Sequence, residues 1–304
     1  MRVLVTGGAG FIGSHIVDLL VSRGDDVTVV DDLSTGSRNH LGSNVRLIQS
    51  DIRKPDVVEK IRRARPQGIV HAAAQVSVPR SVLDPVDDAT GNIVGTIRVA
   101  QAAAGAECRA FVFLSSGGAI YGPDAAIPSD EHQPIHPISP YGLSKLSAER
   151  YVRMLVNGQI PTTILRLANV YGPRQDPRGE AGVVAVFCAA MRERRALTID
   201  GDGDQTRDFV YVQDVAKAAV AALDSDQSTT LNIGTRSEVS VNQLFETLAD
   251  AAGYQLLARH GPPRQGDVRR SALDATLASA VLGWRPATSL RDGLVLTYAA
   301  SEGA

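Results

Sequence analysis

The sequence predicts an α/β protein: a doubly wound parallel sheet of the Rossmann type, followed by a smaller α+β C-terminal lobe. Three observations predict it. Apolar bursts without polar alternation recur through the first half. Helical patterns fill the intervals between them. A glycine-rich stretch joins the first burst to the first helical pattern. A strand buried on both faces needs no polar alternation, and a strand followed by about 10–15 helical residues is the βαβ signature.

In chain order, Val3–Val5 is the first strand, and Ile12, Ile16, Leu19 and Leu20 mark one face of the helix after it. Gly24 introduces the β-branched run Val27–Val30. Val45–Ile48, Gly68–Val70 and Phe111–Leu114 continue the series. The doubly wound sheet is placed over residues 1–168. The second half reads differently. Gly172, Pro173, Asp176, Pro177, Arg178 and Gly179 form a loop, and Gly182–Met191 is a helical apolar stretch. Leu197–Ile199 and Phe209–Val212 are short strands. Ser240 and Gln243 have the spacing of a capping box opening a helix through Leu244 and Leu248. Gly261–Pro263 breaks the chain again before Trp284 and a last loop–helix segment. Residues 169–304 are the expected lobe, with the segment at about 208–234 packing back on the sheet.

Composition narrows the function. The 304 residues carry 31 basic and 33 acidic side chains, a formal net charge of −2, which excludes the basic footprint of a general nucleic-acid binder. No apolar stretch reaches the roughly 18 residues of a membrane span, and Met1–Gly7 lacks the long apolar region of a signal peptide. Two cysteines, Cys108 and Cys188, make no disulfide framework, so the cytoplasm is the expected compartment.

Gly7, Gly10 and Gly13 form a GxxGxxG pattern between the first strand and the first helix, with Phe11 and Ile12 inside it. Glycines permit a tight turn and let backbone N–H groups approach a pyrophosphate at the positive end of the helix. Asp31 ends the second strand, where a carboxylate accepts from a ribose 2′-hydroxyl and repels a 2′-phosphate. NAD is therefore expected rather than NADP. Asp51 and Ile52, after the third strand, are candidates for the adenine edge, although an isolated Asp there also suits a plain turn.

Tyr141 and Lys145 stand at i and i+4, on one helical face opened by Pro140. An unperturbed tyrosine is a poor base at neutral pH, and a nearby ammonium or a cofactor's positive ring lowers its pKa. Tyr141 is then suited to take a proton from a sugar hydroxyl while hydride leaves the same carbon.

At these residues the chain resembles the extended short-chain dehydrogenase/reductase family, and within it the bacterial UDP-glucose 4-epimerases, also called UDP-galactose 4-epimerases. Besides the glycine loop and the Tyr/Lys pair, the marks are Asp31, Asp32, Leu33, Ser34, Thr35 and Gly36; His71 with Ala72, Ala73, Ala74 and Gln75; Asn92 with Gly95 and Thr96; and Ser115–Gly122. Downstream marks are Ala168–Gln175, Thr206–Phe209, Asn232–Gly234, and Arg264 with Gly266 and Asp267. The resemblance implies a cofactor site built from the first group, including Asn92 and Ser115. It implies Tyr141 as base and acid at the sugar C4 hydroxyl, and Lys145 on the nicotinamide ribose. Asn169, Arg207 and Arg264 fall at positions that contact UDP, the arginines at the diphosphate, and Asp267 at the uridine ribose. Val183 and Thr198 belong to segments that line the nucleotide. The implied substrate is a UDP-hexose and the implied assembly a homodimer, through helices near 92–104 and 141–156 whose Ala-rich faces allow close packing.

Departures from the family pattern are part of the reading. Gly117 stands where a Ser or Thr shares the C4 hydroxyl with the base, and Ser116 is the expected substitute. Gly117–Ala119 lacks the Thr-Asp-Glu of the related dehydratases, which argues against dehydration. Asp200 stands where an aromatic usually flanks uracil, and Arg236 where a glycine is usual; the latter reads as a surface change. His132 and His136 share a metal-ligand spacing, but Pro134 between them disfavours a common helix face, and no metal site is expected. His71 is expected to pack, and Arg62, Arg63, Arg65, Arg192, Arg194 and Arg195 to be solvated. A 4-epimerase acting on UDP-glucuronate or UDP-N-acetylglucosamine, a nucleotide-sugar oxidoreductase releasing its nicotinamide, and a non-catalytic NAD-binding regulator remain alternatives.

Overall fold

The computed structural model describes residues 1–106, 108–156, 158, 160–178, 182–263 and 268–301. The elements in chain order are β1 (Arg2–Thr6), α1 (Phe11–Ser22), β2 (Asp26–Asp31), β3 (Arg46–Gln49), α2 (Val57–Arg63), β4 (Gly68–His71), α3 (Val78–Leu83), α4 (Pro85–Ala89), a π-helical turn (Thr90–Val94), α5 (Gly95–Ala104), β5 (Ala110–Ser116), the short turn α6 (Gly117–Ile120), α7 (Pro140–Val156) and β6 (Thr162–Leu167). There follow β7 (Asn169–Tyr171), α8 (Val183–Arg192), β8 (Thr198–Asp200), β9 (Thr206–Arg207), β10 (Phe209–Tyr211), α9 (Val212–Leu223), β11 (Thr229–Ile233), β12 (Val239–Ser240), α10 (Val241–Ala252), β13 (Arg259–Gly261), β14 (Arg270–Ser271), α11 (Thr276–Leu282) and α12 (Leu290–Ala300).

The central sheet has seven strands in the order β11-β6-β5-β4-β1-β2-β3, every neighbouring pair parallel. The apolar bursts of the sequence are explained by burial on both faces. In β1, Val3 and Val5 point to the layer of α1 and α9, while Leu4 points to the layer of α2, α5 and α7. In β5, Val112 and Leu114 face the first layer and Phe111 and Phe113 the second. Successive side chains alternate, but both destinations are apolar. The strand order reverses between β1 and β4, so the crevice beyond their carboxyl ends is the natural ligand position of such a sheet.

A third core lies in the lobe, where Phe187, Met191, Tyr211, Leu244, Phe245, Leu248 and Leu294 bring α8, α10 and α12 together. Its strands form two parallel pairs, β10–β7 and β13–β8, and a three-stranded set β12-β9-β14. The capping box at the start of α10 is complete: Ser240 accepts from the Gln243 N–H and Gln243 accepts from the Ser240 N–H. The segment between the lobe strands returns to the sheet. β11 pairs with β6, α9 packs on α1, and the buried Trp284 indole donates to the Asp214 carbonyl of α9 at 2.8 Å. No helix among the described residues is long and apolar enough to cross a membrane.

One expectation changes, and one open reading takes its intramolecular form. Arg192 is not a solvated charge: its guanidinium donates to the Tyr298 carbonyl and to Ser301 and lies 4.6 Å from the Tyr298 ring centroid, so it staples α8 to α12. The Ala-rich face of α5 is turned inward, with Ala100, Ala102 and Ala103 buried in the layer that holds Val57 and Ile61 of α2. Exposed apolar side chains in this region include Val82, Leu83, Val86, Leu143, Tyr151 and Met154 of α3, α4 and α7.

Candidate active site

The glycine loop closes β1 onto α1 at van der Waals limits. Gly7 has a left-handed backbone, φ 68°, and a Cβ there would fall 2.6 Å from the Ala73 nitrogen. A Cβ on Gly13 would fall 2.0 Å from the Gly7 carbonyl oxygen. Only glycine permits the close approach at both positions. The Asp31 carboxylate, nearly buried at the end of β2, accepts from the Ala9 and Leu33 N–H groups, each at 2.9 Å. It therefore sits against the glycine loop, at the place a ribose hydroxyl occupies in this type of fold. Burial raises its pKa and the two backbone bonds oppose that rise. Asp32 is held by Ser34, through its N–H at 2.9 Å and its hydroxyl at 2.6 Å, and Gly36 packs against Ala9. Together these features fit a dinucleotide: a cradle that side chains would fill, a helix N-terminus beneath it, and a carboxylate at the ribose position. Asp51 is a turn residue paired with Arg53 at 2.9 Å, and Ile52 is buried beneath Gly95.

Segment 72–75 runs beside the loop. Its position is set by Asn92, whose amide takes the Gln75 N–H and donates to the Gln75 carbonyl, both at 2.9 Å. Asn92 thus braces the backbone of the expected cofactor segment with its own side chain fully engaged. Ser115 is likewise turned away from the crevice, donating at 2.5 Å to Glu149. His71 packs as expected, between Thr6 (2.6 Å) and Thr96 (2.9 Å), and burial pulls its pKa down to about 3.

Tyr141 and Lys145 lie on the buried face of α7, beside the carboxyl end of β5. The Tyr141 N–H donates to the Ser81 hydroxyl at 3.1 Å, which pins the first turn of α7 to α3. Burial pushes the Tyr141 phenol up to about 12; the Ser116 hydroxyl facing it works downward, and Asp88 works upward. Lys145 is anchored to β5. The ammonium donates to the Leu114 carbonyl at 2.6 Å and sits 4.4 Å from the Phe113 ring centroid. Burial pulls Lys145 itself down to about 8, against the opposing fields of Glu149 and Asp88. The chain alone therefore presents a protonated phenol next to a weakly held ammonium. The space at Gly117 is already filled: a Cβ there would lie 2.5 Å from a Leu273 methyl carbon. A serine at 117 would require the Leu273 side chain to shift, and the hydroxyl that faces the Tyr141 phenol in this chain is that of Ser116.

The candidate lobe residues lie on separate elements. Asn169 follows β6 with its amide oxygen 3.7 Å from where a Gly118 Cβ would be. Val183 opens α8, Thr198 is exposed on β8, and Arg207, on β9, donates to the Thr206 carbonyl at 2.7 Å. Arg264, Gly266 and Asp267 lie outside the described residues, as does Gly179. Asp200 is exposed at the end of β8. Arg236 has φ 65° and pairs with Asp274 at 3.2 Å, so the glycine usual there reflects a left-handed backbone that this chain adopts with a side chain. His132 and His136 are exposed in a loop, and no metal-ligand cluster exists among the described residues.

Four buried charged side chains surround α7, and three were not singled out from the sequence. Glu149 accepts from Arg166 at 2.8 and 3.1 Å, Arg166 also donates to the Tyr121 hydroxyl at 3.0 Å, and Asp88 lies beneath Asn92. Helical register held a signal for two of them: Glu149 follows Lys145 by four residues, and Asp88 precedes Asn92 by four.

Residues 3–234 match the model of the NAD dependent epimerase/dehydratase family. The chain is 45% identical over 304 residues to UDP-glucose 4-epimerase of Mycolicibacterium smegmatis, covering 98% of this chain and 97% of that one. Among solved structures, it is similar to UDP-glucose 4-epimerase of Thermotoga maritima with UDP-glucose (TM-score 0.97, 45% identity, 99% and 98% of the two chains covered). It is also similar to UDP-glucose 4-epimerase of Thermus thermophilus in complex with NAD (TM-score 0.93, 41% identity, 100% of each chain).

Proposed function

The chain belongs to the NAD dependent epimerase/dehydratase family, and from that premise we propose that it interconverts UDP-glucose and UDP-galactose at C4 through a 4-keto sugar. It is an isomerase of the UDP-glucose 4-epimerase type with NAD as its cofactor. The observation that carries the reading is Tyr141, buried beside the carboxyl end of β5 with the Ser116 hydroxyl facing its phenol.

When bound, NAD supplies the hydride acceptor and donor at C4 and, in its oxidised form, a positive charge that lowers the phenol's pKa. Gly7, Gly10 and Gly13 hold its pyrophosphate and Asp31 its adenosine ribose. Tyr141 takes the proton of the C4 hydroxyl in one direction and returns it in the other. Ser116 steadies the same oxygen. Lys145 holds the nicotinamide ribose and keeps a cation near the phenol. Asn169, Val183, Thr198 and Arg207, with Arg264 and Asp267, hold UDP; guanidinium donors suit a diphosphate through paired charge-assisted bonds. Retention of UDP keeps the ketone at the site while it turns its other face, and such tethering contributes about 7 kcal/mol or more. Residues 1–168 form the NAD-binding domain, with 208–234 packed on it, and 169–304 the UDP-sugar lobe.

The assembly we propose is a homodimer. Val82, Leu83, Val86, Leu143, Tyr151 and Met154 leave an apolar surface across α3, α4 and α7 that a second copy would cover. Two buried, unpaired cysteines suit a reducing cytoplasm.

The test is direct. Purified protein is mixed with UDP-galactose and no added NADH, and UDP-glucose is measured together with absorbance at 340 nm. Interconversion without net absorbance change supports the reading. Stoichiometric NADH formation would make the protein an oxidoreductase, and absence of turnover a regulator. Faster turnover of UDP-N-acetylglucosamine or UDP-glucuronate would move the substrate assignment.

A further inference from the structure

Four charged side chains are buried around α7: Asp88 (1% exposed), Lys145 (4%), Glu149 (3%) and Arg166 (5%). Glu149 and Arg166 neutralise each other by direct contact at 2.8 Å. Lys145 and Asp88 remain, and neither has an ion-pair partner among the described contacts. Lys145 is bonded to a carbonyl, and Asp88 to three neutral groups. A buried charge without a counter-charge is strongly disfavoured, and the Asp88 carboxylate supports the Lys145 ammonium through space, beside the larger support of Glu149.

The three groups on Asp88 come from three different parts of the site. One carboxylate oxygen accepts from Gln75 Nε2 and Asn92 Nδ2, both at 2.9 Å, and the other accepts from Ser144 Oγ at 2.5 Å. Gln75 ends the expected cofactor segment. Asn92 braces the backbone of that segment from the π-helical turn. Ser144 stands between Tyr141 and Lys145 on α7. We propose that Asp88 is a positioning residue for C4 epimerisation: its carboxylate locks the helix of Tyr141 and Lys145 to the expected cofactor segment at Gln75 and adds negative charge in support of Lys145. It touches no reacting atom and acts through Ser144, Asn92 and Lys145.

The groups facing Lys145 from every packed element are few. Tyr141 and Glu149 lie on its own helix, His71 on β4, Asp88 on α4, and Arg166 on β6 paired to Glu149. His71 is neutral at working pH, because burial holds its pKa at about 3. Glu149 is already committed to Arg166. Removal of the Asp88 charge therefore takes away one of the two carboxylate fields that hold the proton on Lys145, and that proton should leave at lower pH.

The inference rests on the proposed epimerase activity, and wild-type protein in the same assay separates the two: if the wild type does not epimerise, that reading fails and not the role of Asp88. Asp88→Asn keeps the shape and an acceptor oxygen but removes the charge. The expected result is a fall in kcat of roughly tenfold or more with KM within about twofold, and an alkaline limb of the kcat/KM profile moved down by about one pH unit. Ser144→Ala cuts the link to α7 and keeps the charge. It should lower kcat roughly threefold and leave the limb in place, which also keeps the proposal testable if Asp88→Asn does not fold. Asp88→Asn with wild-type kcat and an unmoved limb would overturn the proposal. So would Ser144→Ala with wild-type kcat, or a fall in Asp88→Asn that is the same at every pH.

Discussion

Around α7, charged side chains are buried and hydrogen-bonded; in the lobe they are paired in water. Arg166 and Glu149, 2.8 Å apart, are 6% and 3% exposed at the side chain, whereas Arg269 and Asp202, 2.7 Å apart, are 58% and 56% exposed. Similar distances therefore mean different things. Solvent-exposed pairs contribute little because water and salt screen them and two long side chains must be immobilised. A buried pair cannot be halved without leaving a naked charge. The difference matches the division of labour proposed above: proton and hydride transfer demand sub-ångström placement, and diphosphate recognition tolerates looser cations.

Four experiments would break or sharpen the contrast. The largest effect is expected at the phenol. Tyr141→Phe should lower kcat by about 10³-fold or more while the protein still binds nucleotide, read by steady-state kinetics and ligand-induced melting shifts. Next is the buried pair. Arg166→Met should destabilise the protein by roughly 3–5 kcal/mol in denaturant titration, because Glu149 is left unpaired; Arg269→Ala in the lobe should leave the melting temperature unchanged within error. Equal losses would erase the contrast. Third, Arg207→Ala should raise KM for the UDP-sugar by about tenfold with kcat little altered, the mark of binding shared by ground and transition states.

The smallest effect is a split between activity and stability above pH 8. Lys145 has its folded pKa lowered to about 8 from an ordinary 10.5. Between those values the unfolded chain holds the proton that the folded chain has lost, so stability rises with pH in this window. The gain should be on the order of 1 kcal/mol and absent in Lys145→Met, measured by denaturant titration at pH 8 and 10. Activity should fall over the same range. A parallel fall of stability would show that Lys145 is not the group titrating.

The same contrast governs what was legible in the sequence. Strands β1, β2, β4 and β5 stand out because both faces are apolar, and the glycine loop because Gly7 and Gly13 tolerate no side chain. Tyr141 and Lys145 are readable because helical spacing alone puts them together. Asp88 and Glu149 carry only an i, i+4 spacing to Asn92 and Lys145, and Arg166 carries no mark: a single charged letter on a helix or strand reads as solvated until a crossing element covers it. Arg192 misled for the same reason, since its cover comes from α12, more than a hundred residues later. In the lobe, β8 and β10 are readable as apolar runs, whereas the two-residue strands β9, β12 and β14 are too short for periodicity to mark.

The strand that borders β6 on its outer side, β11, is made only after the chain has passed through much of the lobe. Every residue of β6 is buried, so a nascent polypeptide that has reached only residue 168 carries a naked apolar border with unpaired peptide groups. That border is sealed only when residues 229–233 pair with it. Engineers seeking a minimal dinucleotide-binding fragment should graft β11 directly after β6 rather than truncate.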